Sequence, residues 1–169
     1  MGLIIVDVES DGPCPGLYSM ICFGAVCLNN LNKTFYGKTS PISINSIKAA
    51  RDISGFSRSE HLDFPEPSKT MQEFKNWLSE VDTKPIFISD NPAFDWQWIN
   101  YYFHAFIGEN PFGFSARRIG DLYAGLVKDS RKSNEWKRLR RTKHTHNPVD
   151  DAMGNAEALI EMRKLGLKI

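Results

Sequence analysis

Residues 1–12 read MGLIIVDVESDG. Four apolar residues at positions 3–6 come directly before the acids Asp7, Glu9 and Asp11. The continuous apolar run predicts a central strand that is covered on both faces. Because side chains alternate along a strand, Asp7 and Glu9 lie on one face. A buried carboxylate without a partner is unfavourable, so this end of the strand needs water or a counter-charge.

The rest of the sequence predicts an alternation of strands and helices. Strand patterns cover residues 3–9, 19–28, 33–38 and 84–89, with an edge strand at 114–119. Helical patterns cover 46–53, 68–79 with Ser68 as N-cap, 91–106 with Asn91 as N-cap, 119–128, 134–140 and 148–165. A three-stranded meander followed by alternating helices and strands predicts an α/β domain, with a central mixed five-stranded sheet flanked by helices.

Length and composition predict one soluble domain over residues 1–169. Apolar residues make up 41% of the chain and charged residues 24%, which is ordinary for a globular protein. The odd set Cys14, Cys22 and Cys27 indicates reduced thiols, and hence a cytoplasmic protein. No apolar run reaches the length of a membrane span and no signal peptide is visible, so we expect no membrane partner.

The net charge of +1 conceals an uneven distribution of charge. Residues 128–143 contain eight bases and two acids, a local charge of +6, whereas the remaining chain carries −5. Such a segregated basic segment indicates an anionic partner. The alternative is a solvated basic surface with no partner.

Two further acids occur near predicted helix starts. Asp95 lies in FISDNPAFDWQW (residues 87–98), one turn into a helix that begins at an Asn-Pro pair. Asp151 lies in HTHNPVDDAMGNAEAL (residues 144–159), five residues after His146. Each acid alone has an ordinary explanation, because the helix dipole favours anions in the first turn. The loop position of His146 allows its side chain to reach over a neighbouring site.

Taken in chain order, these motifs resemble the DEDDh branch of the DnaQ-like 3′–5′ exonucleases, which includes ribonuclease T, oligoribonuclease and small bacterial and phage exoribonucleases. The resemblance covers nearly the whole chain and implies a ribonuclease H-like fold. The tyrosine branch is excluded because no tyrosine precedes an aspartate by four residues in the third motif. The sequence departs from many members at Ile21-Cys22-Phe23, where they carry a glutamate. The matching residues are Asp7, Glu9, Asp95, His146 and Asp151.

The resemblance implies a metal-dependent 3′–5′ exoribonuclease that releases nucleoside monophosphates. Phosphodiester hydrolysis needs an activated water and a stabilised leaving oxygen, and two divalent metals supply both. Mg²⁺ and Mn²⁺ prefer carboxylate oxygens. The four acids would hold the metals and His146 would be the general base, since imidazole exchanges protons near neutral pH. The expected metal ligands are Asp7, Glu9, Asp95 and Asp151.

Contacts to the nucleic acid are expected beside these motifs. The loop after the first strand, with Ser10 and Asp11, should border the scissile nucleotide, and Phe56 should stack on the terminal base. The end of the basic segment should bind phosphates through Arg140, Arg141 and Lys143. Its Trp136 could also stack on a base, but packing against the domain is the favoured interpretation. The resemblance leaves a homodimer open.

Other functions fit part of the pattern. A DNA exonuclease that trims ends or proofreads would use the same motifs, because only contacts to the 2′-hydroxyl separate DNA from RNA. A catalytically silent nucleic-acid-binding module would share the fold, but binding alone does not require clustered acids. A structural protein with solvated acids would have no reason for five matching residues in this order.

Overall fold

The computed structural model describes residues 2–81 and 84–169. The strands are β1 (Gly2–Ser10), β2 (Met20–Cys27), β3 (Asn30–Lys38), β4 (Pro85–Ser89) and β5 (Ala116–Arg118). The α-helices are α1 (Lys48–Ser54), α2 (Arg58–Leu62), α3 (Pro67–Ser79), α4 (Pro92–Phe106), α5 (Ile119–Val127) and α6 (Pro148–Lys164). Two 3₁₀ helices lie between α5 and α6, at Ser130–Lys132 and Glu135–Leu139.

The five strands form one mixed sheet in the order β3-β2-β1-β4-β5. The central strand β1 pairs antiparallel with β2 and parallel with β4. Strand β5 adds parallel to β4 at the edge. This arrangement confirms the predicted α/β fold and the central position of the first strand.

Alternate residues of β1 enter two separate cores. Ile4, Val6 and Val8 pack in the core that includes side chains of α3 and α4. Leu3 and Ile5 pack in the core that includes side chains of α5 and α6. Since side chains alternate along a strand, the positions that follow Leu3 and Ile5 on the same face are 7 and 9. The fold therefore directs the two strand acids toward the face covered by α6.

Helix α6 lies close to the sheet because its sheet-facing side chains are small. Ala152 and Ala156 are fully buried in the core beneath the helix. Gly24 in β2 contributes no side chain, and a Cβ there would collide with the backbone of Pro148 and Val149. The first turn of α6 therefore lies directly against β2.

Several element boundaries differ from the sequence-based predictions. Helix α3 begins at Pro67 with Glu66 in the capping position, so Ser68 is not its N-cap. Residues 134–140 contain a short 3₁₀ helix and not the predicted α-helix. Helix α2 was not predicted, although Ser57 and Glu60 form a capping box at its start. Asn91 does precede α4, but its side chain makes no capping hydrogen bond.

Two sequence-based expectations concern membrane association and the redox state of the cysteines. Across residues 2–81 and 84–169, we find no helix with the length and apolar character needed to cross a membrane. Cys14, Cys22 and Cys27 are free thiols, as the sequence predicts.

Candidate active site

The site forms where β1 extends beyond its parallel neighbour. The pairing of β1 with β4 ends at Ile5 and Ile88, whereas its pairing with β2 continues to Ser10. The backbone of β1 beyond Ile5 is therefore open on the β4 side, where α4 begins. Asp7 and Glu9 lie in this segment, opposite Gly24 and Cys22 of β2.

Helix α4 supplies the second acid. Asp95 is 4% exposed, and its Oδ1 accepts a hydrogen bond from the N–H of Val8 at 3.2 Å. The bond joins the first turn of α4 to the open part of β1. The donor is a backbone N–H of the strand that carries the first motif.

Helix α6 supplies the third acid, which also orders the loop before the helix. Asp151 is 2% exposed. Its Oδ1 accepts from the N–H of Thr145 at 2.9 Å, and its Oδ2 accepts from the N–H of His146 at 3.0 Å. The Nδ1 atom of His144 lies 2.8 Å from the same Oδ2. One carboxylate thus fixes three consecutive loop residues.

His146 adopts a left-handed backbone conformation, with φ of 63°. A residue with a Cβ rarely takes this conformation, and the two hydrogen bonds to Asp151 hold it there. The side chain is 47% exposed, and its Nδ1 lies 3.6 Å from Oε1 of Glu9. The ring is therefore beside the acids and open to solvent, as a general base requires.

The acids of all three motifs interact. Ligand oxygens of Asp7, Glu9 and Asp151 lie within 4.8 Å of one another. Burial, with added repulsion from Asp151 and Asp95, raises the pKa of Glu9 to about 7. Burial and the charges of Asp95, Asp151 and Glu9 raise the pKa of Asp7 well above its usual range, and the nearby Arg140 opposes this shift only in part.

Burial and hydrogen bonding have opposite effects on the pKa of Asp95. Burial raises the pKa of Asp95 to about 7, although the hydrogen bond from the N–H of Val8 favours the charged form. Three neighbouring carboxyl groups with raised pKa values must hold protons or find cations. A set of clustered carboxylate oxygens matches the ligand preference of Mg²⁺ and Mn²⁺, so the residues present fit two hard divalent ions.

The loop after β1 corrects one sequence-based expectation. Asp11 is fully buried, and its Oδ2 lies 2.8 Å from Nη1 of Arg58 while its Oδ1 accepts from the N–H of Ser19 at 2.6 Å. Its carboxylate is bound by these two partners inside the fold and is not accessible to a substrate. Ser10 lines a cleft beside Glu9, and its hydroxyl donates to the carbonyl of Gly12 at 2.7 Å, so its contact with the substrate stays a prediction.

Phe56 lies in an aromatic cluster outside the acidic centre. Its ring packs edge-on against Phe64 at 5.0 Å, and Nζ of Lys38 lies 4.4 Å from the ring centroid. These contacts with Phe64 and Lys38 already cover part of the Phe56 ring. Stacking of Phe56 on a terminal base stays a prediction.

The end of the basic segment divides into inward and outward residues. The Arg140 side chain is 13% exposed, lies 4.7 Å from the Trp136 ring and is 3.6 Å from Oδ2 of Asp90. Trp136 is fully buried, which agrees with the favoured interpretation that it packs against the domain. Arg141 pairs with Glu161 at 2.6 Å and stays 70% exposed, and Lys143 is exposed.

Two features of the site were not indicated by motif spacing. His144 lies beside Asp151, although the residue five positions after it is Val149. A cleft of about 370 Å³ adjoins Glu9, and its walls come from the β1–β2 loop, α1 and α4. The lining residues include Gly12, Ile47, Ala50, Ile53 and Phe94. The pairing of two histidines two positions apart was the only sequence signal for the first feature.

The chain is 37% identical over 164 residues to the 3′–5′ DNA exonuclease Cap18 of Escherichia coli. The aligned residues cover 95% of this chain and 85% of that protein. The chain belongs to the DEDDh family of 3′–5′ exonucleases. This exonuclease is a hydrolase that acts on phosphodiester bonds. No family model matches the chain.

Solved structures show the same fold. The nuclease domain of 3′hExo, a DEDDh family member solved with bound rAMP, has a TM-score of 0.75 at 14% identity, covering 99% of this chain and 94% of that chain. Exonuclease X, solved with 5′-overhanging duplex DNA, has a TM-score of 0.69 at 15% identity, with coverage of 99% and 94%. These likenesses confirm the ribonuclease H-like architecture of the exonuclease.

Proposed function

We propose that this 3′–5′ exonuclease is metal-dependent and releases nucleoside monophosphates one at a time from the 3′ end of a polynucleotide. The observation that carries the proposal is the convergence of Asp7, Glu9 and Asp151 within 4.8 Å, with His146 beside Glu9. Acids brought together from β1 and α6 are costly in a folded protein unless cations neutralise them. A cation-dependent reaction explains the cluster.

The residues divide into ligands and a base. Asp7, Glu9 and Asp151 would hold two Mg²⁺ or Mn²⁺ ions, with Asp95 completing the set. When bound, two such ions supply an activated water and stabilise the charge that develops on the leaving oxygen. His146 accepts the proton of the attacking water, because its ring is both solvent-accessible and 3.6 Å from Glu9.

The cleft next to Glu9 would hold the terminal nucleotide. Ile47, Ile53 and Phe94 give it apolar walls on which a base can lie, and Glu9 at its acidic end would hold a metal ion near the scissile phosphate. The outward residues Arg141 and Lys143 would bind phosphates further along the strand. Arg140 instead lies within electrostatic reach of Asp7 and moderates the charge of the acidic centre.

The polynucleotide substrate is either RNA or DNA. The motif resemblance predicts RNA. DNA is the second candidate, and the activity of the 37% identical relative as a 3′–5′ DNA exonuclease supports it. The test is a side-by-side digestion of matched 5′-labelled RNA and DNA oligonucleotides of one sequence with Mg²⁺ or Mn²⁺. The oligonucleotides are single-stranded or carry 3′ overhangs, and the rates of shortening of RNA and DNA are compared. Faster shortening of RNA supports the exoribonuclease, and faster shortening of DNA overturns it.

The same digestion tests direction. A 5′-labelled substrate should give a ladder of progressively shorter labelled products. Immediate release of the labelled 5′ nucleotide would contradict removal from the 3′ end. Digestion without divalent metal, in EDTA, should leave the substrate intact.

We also propose that residues 1–169 form a single exonuclease domain that works in the cytoplasm, which the free thiols support. A homodimer follows only from the family resemblance. Light scattering of the purified protein measures the mass directly, and a mass of one chain would exclude the dimer.

A further inference from the structure

The loop before α6 creates a second group of metal-binding atoms. Ligand atoms of His144, His146 and Asp151 lie within 4.8 Å of one another. The two imidazole rings are 4.4 Å apart between centroids, and Nδ1 of His144 is 2.8 Å from Oδ2 of Asp151. We propose that these three residues form a Zn²⁺ site and that zinc bound there inhibits the exonuclease.

The donor atoms distinguish this site from the carboxylate cluster. Two imidazole nitrogens and one carboxylate oxygen suit Zn²⁺, whereas Mg²⁺ takes oxygen ligands almost exclusively. Zinc bonds of about 2.0–2.2 Å require neighbouring ligand atoms to lie roughly 3.3 Å apart. The 2.8 Å separation in this structure needs only a small rotation of the His144 ring. Binding through Nδ1 leaves the imidazole proton on Nε2.

The loop is suited to such an adjustment because one ligand is buried and the rings of the other two are half-exposed. Asp151 is 2% exposed and is held by the N–H groups of Thr145 and His146. The side chains of His144 and His146 are 50% and 47% exposed. They reach the fixed oxygen from the solvent side, which leaves the fourth zinc position to water.

Inhibition follows from two shared residues, and this step rests on the proposed function. Asp151 belongs to both groups of ligand atoms, so an ion held by the histidines competes for an oxygen of the carboxylate cluster. Zinc also occupies the nitrogen lone pair that His146 needs to accept a proton. His144 belongs to the zinc group and, unlike His146 and Asp151, has no role in the proposed catalysis, so it is the position at which zinc binding can be removed.

The experiment compares the wild type with His144→Gln and with a matched control, His104→Gln, at an exposed residue in the last turn of α4. Zinc is titrated into Mg²⁺-supported cleavage, and inhibition is expressed relative to each variant without zinc. The zinc concentration for half-inhibition should rise roughly tenfold or more in His144→Gln and stay unchanged in His104→Gln. Equal values in the wild type and His144→Gln would overturn the proposal.

Binding is read without substrate by replacing zinc with Co²⁺. The wild type and His104→Gln should show the strong visible absorption of four-coordinate cobalt with nitrogen ligands, and His144→Gln should lose it. The same spectrum in all three proteins would overturn the proposal. A wild type that shows the His144-dependent band but cleaves no polynucleotide would refute the proposed function alone. An active wild type without the band would refute the zinc site alone.

Discussion

Gly24 lies opposite Asp7 in the β1–β2 ladder and directly against the first turn of α6. A Cβ at this position would collide with the backbone of Pro148 and Val149. The missing side chain therefore sets how close α6, which carries Asp151, can approach the strand that carries Asp7. A residue without any chemistry of its own controls the geometry of the acidic centre.

Gly24→Ala should damage activity more than stability. The added methyl group must push the start of α6 outward, and a misplacement of about 1 Å in an active site costs roughly 100-fold in rate. Overpacking should lower the free energy of unfolding by about 1–3 kcal/mol. Cleavage rates and urea unfolding curves, measured on the same preparation, check both numbers.

Gly125→Ala is the matched control for that change. Gly125 lies inside α5, and nothing lies within 4 Å of a Cβ built there. The substitution should raise the free energy of unfolding by about 0.5–1 kcal/mol and leave cleavage unchanged. Normal cleavage by Gly24→Ala would show that the close approach of α6 does not position the acids.

The metal-free protein should lose stability as the pH rises from about 4.5 to about 7. The pKa of Glu9 is about 7 in the folded chain against an ordinary value of 4.5, so the folded state holds a proton that the unfolded state has lost. Its stabilising effect is fully present below the unfolded value and is lost as the pH passes the folded value. Asp95, with a pKa of about 7, acts in the same direction.

Glu9→Gln isolates this effect. In EDTA, the variant should gain stability over the wild type as the pH rises, reaching about 3 kcal/mol at pH 8. Thermal melting at several pH values measures the difference. A difference that is the same at every pH would show that Glu9 does not titrate in this range. Added Mg²⁺ should raise the melting temperature of the wild type at pH 8 and should do less for the variant.

The buried pair between Asp11 and Arg58 should be structural. The Asp11 side chain is fully buried, and Arg58 also donates to the carbonyl of Ser43 at 2.6 Å. Arg58→Met leaves a buried carboxylate without its cation and should lower the free energy of unfolding by about 3 kcal/mol. Lys48→Met breaks an exposed pair with Asp52 and should change it by less than about 0.5 kcal/mol. Chemical denaturation of both variants measures these free energies. Equally small changes in the two variants would show that the buried pair does not stabilise the fold.

The outward bases of the loop before α6 should determine part of the salt dependence of binding. In an Asp7→Asn background, which should not cleave, the pair of changes Arg141→Ala and Lys143→Ala should reduce the slope of log affinity against log salt by about 1 to 1.5 for a single strand. The control pair Lys69→Ala and Lys75→Ala lies on α3, against the other face of the sheet. An unchanged slope in the first pair would show that these bases do not contact phosphates.

Much of the site could be predicted because its residues lie at positions with strong local rules. Strand alternation places Asp7 and Glu9 on one face, and an Asn-Pro pair marks the helix that carries Asp95. The order of these motifs led to a family whose fold the structure shares. Local pattern and chain order were sufficient for these features because each depends on a few neighbouring residues.

Other features depend on contacts between distant segments, which local pattern does not contain. Asp11 lies in the loop after β1, where the sequence predicts contact with the substrate, yet Arg58, 47 residues later in the chain, binds its carboxylate in the interior. His144 fails the motif spacing, yet the turn at His146 brings it to Asp151. Asp95 finds its donor in Val8, 87 residues away. In each case the partner is set by tertiary packing or by a turn of the chain, and sequence spacing alone does not reveal it.

The most direct test of the central claim is the cleavage of a 5′-labelled oligonucleotide by purified Asp7→Asn with Mn²⁺. Asp52→Asn, at an exposed acid of α1, is the control. If Asp7 holds the catalytic metals, the wild type and the control give a ladder of shortened products, while Asp7→Asn retains the fold by circular dichroism and yields none. Near-full activity of folded Asp7→Asn would contradict the two-metal account.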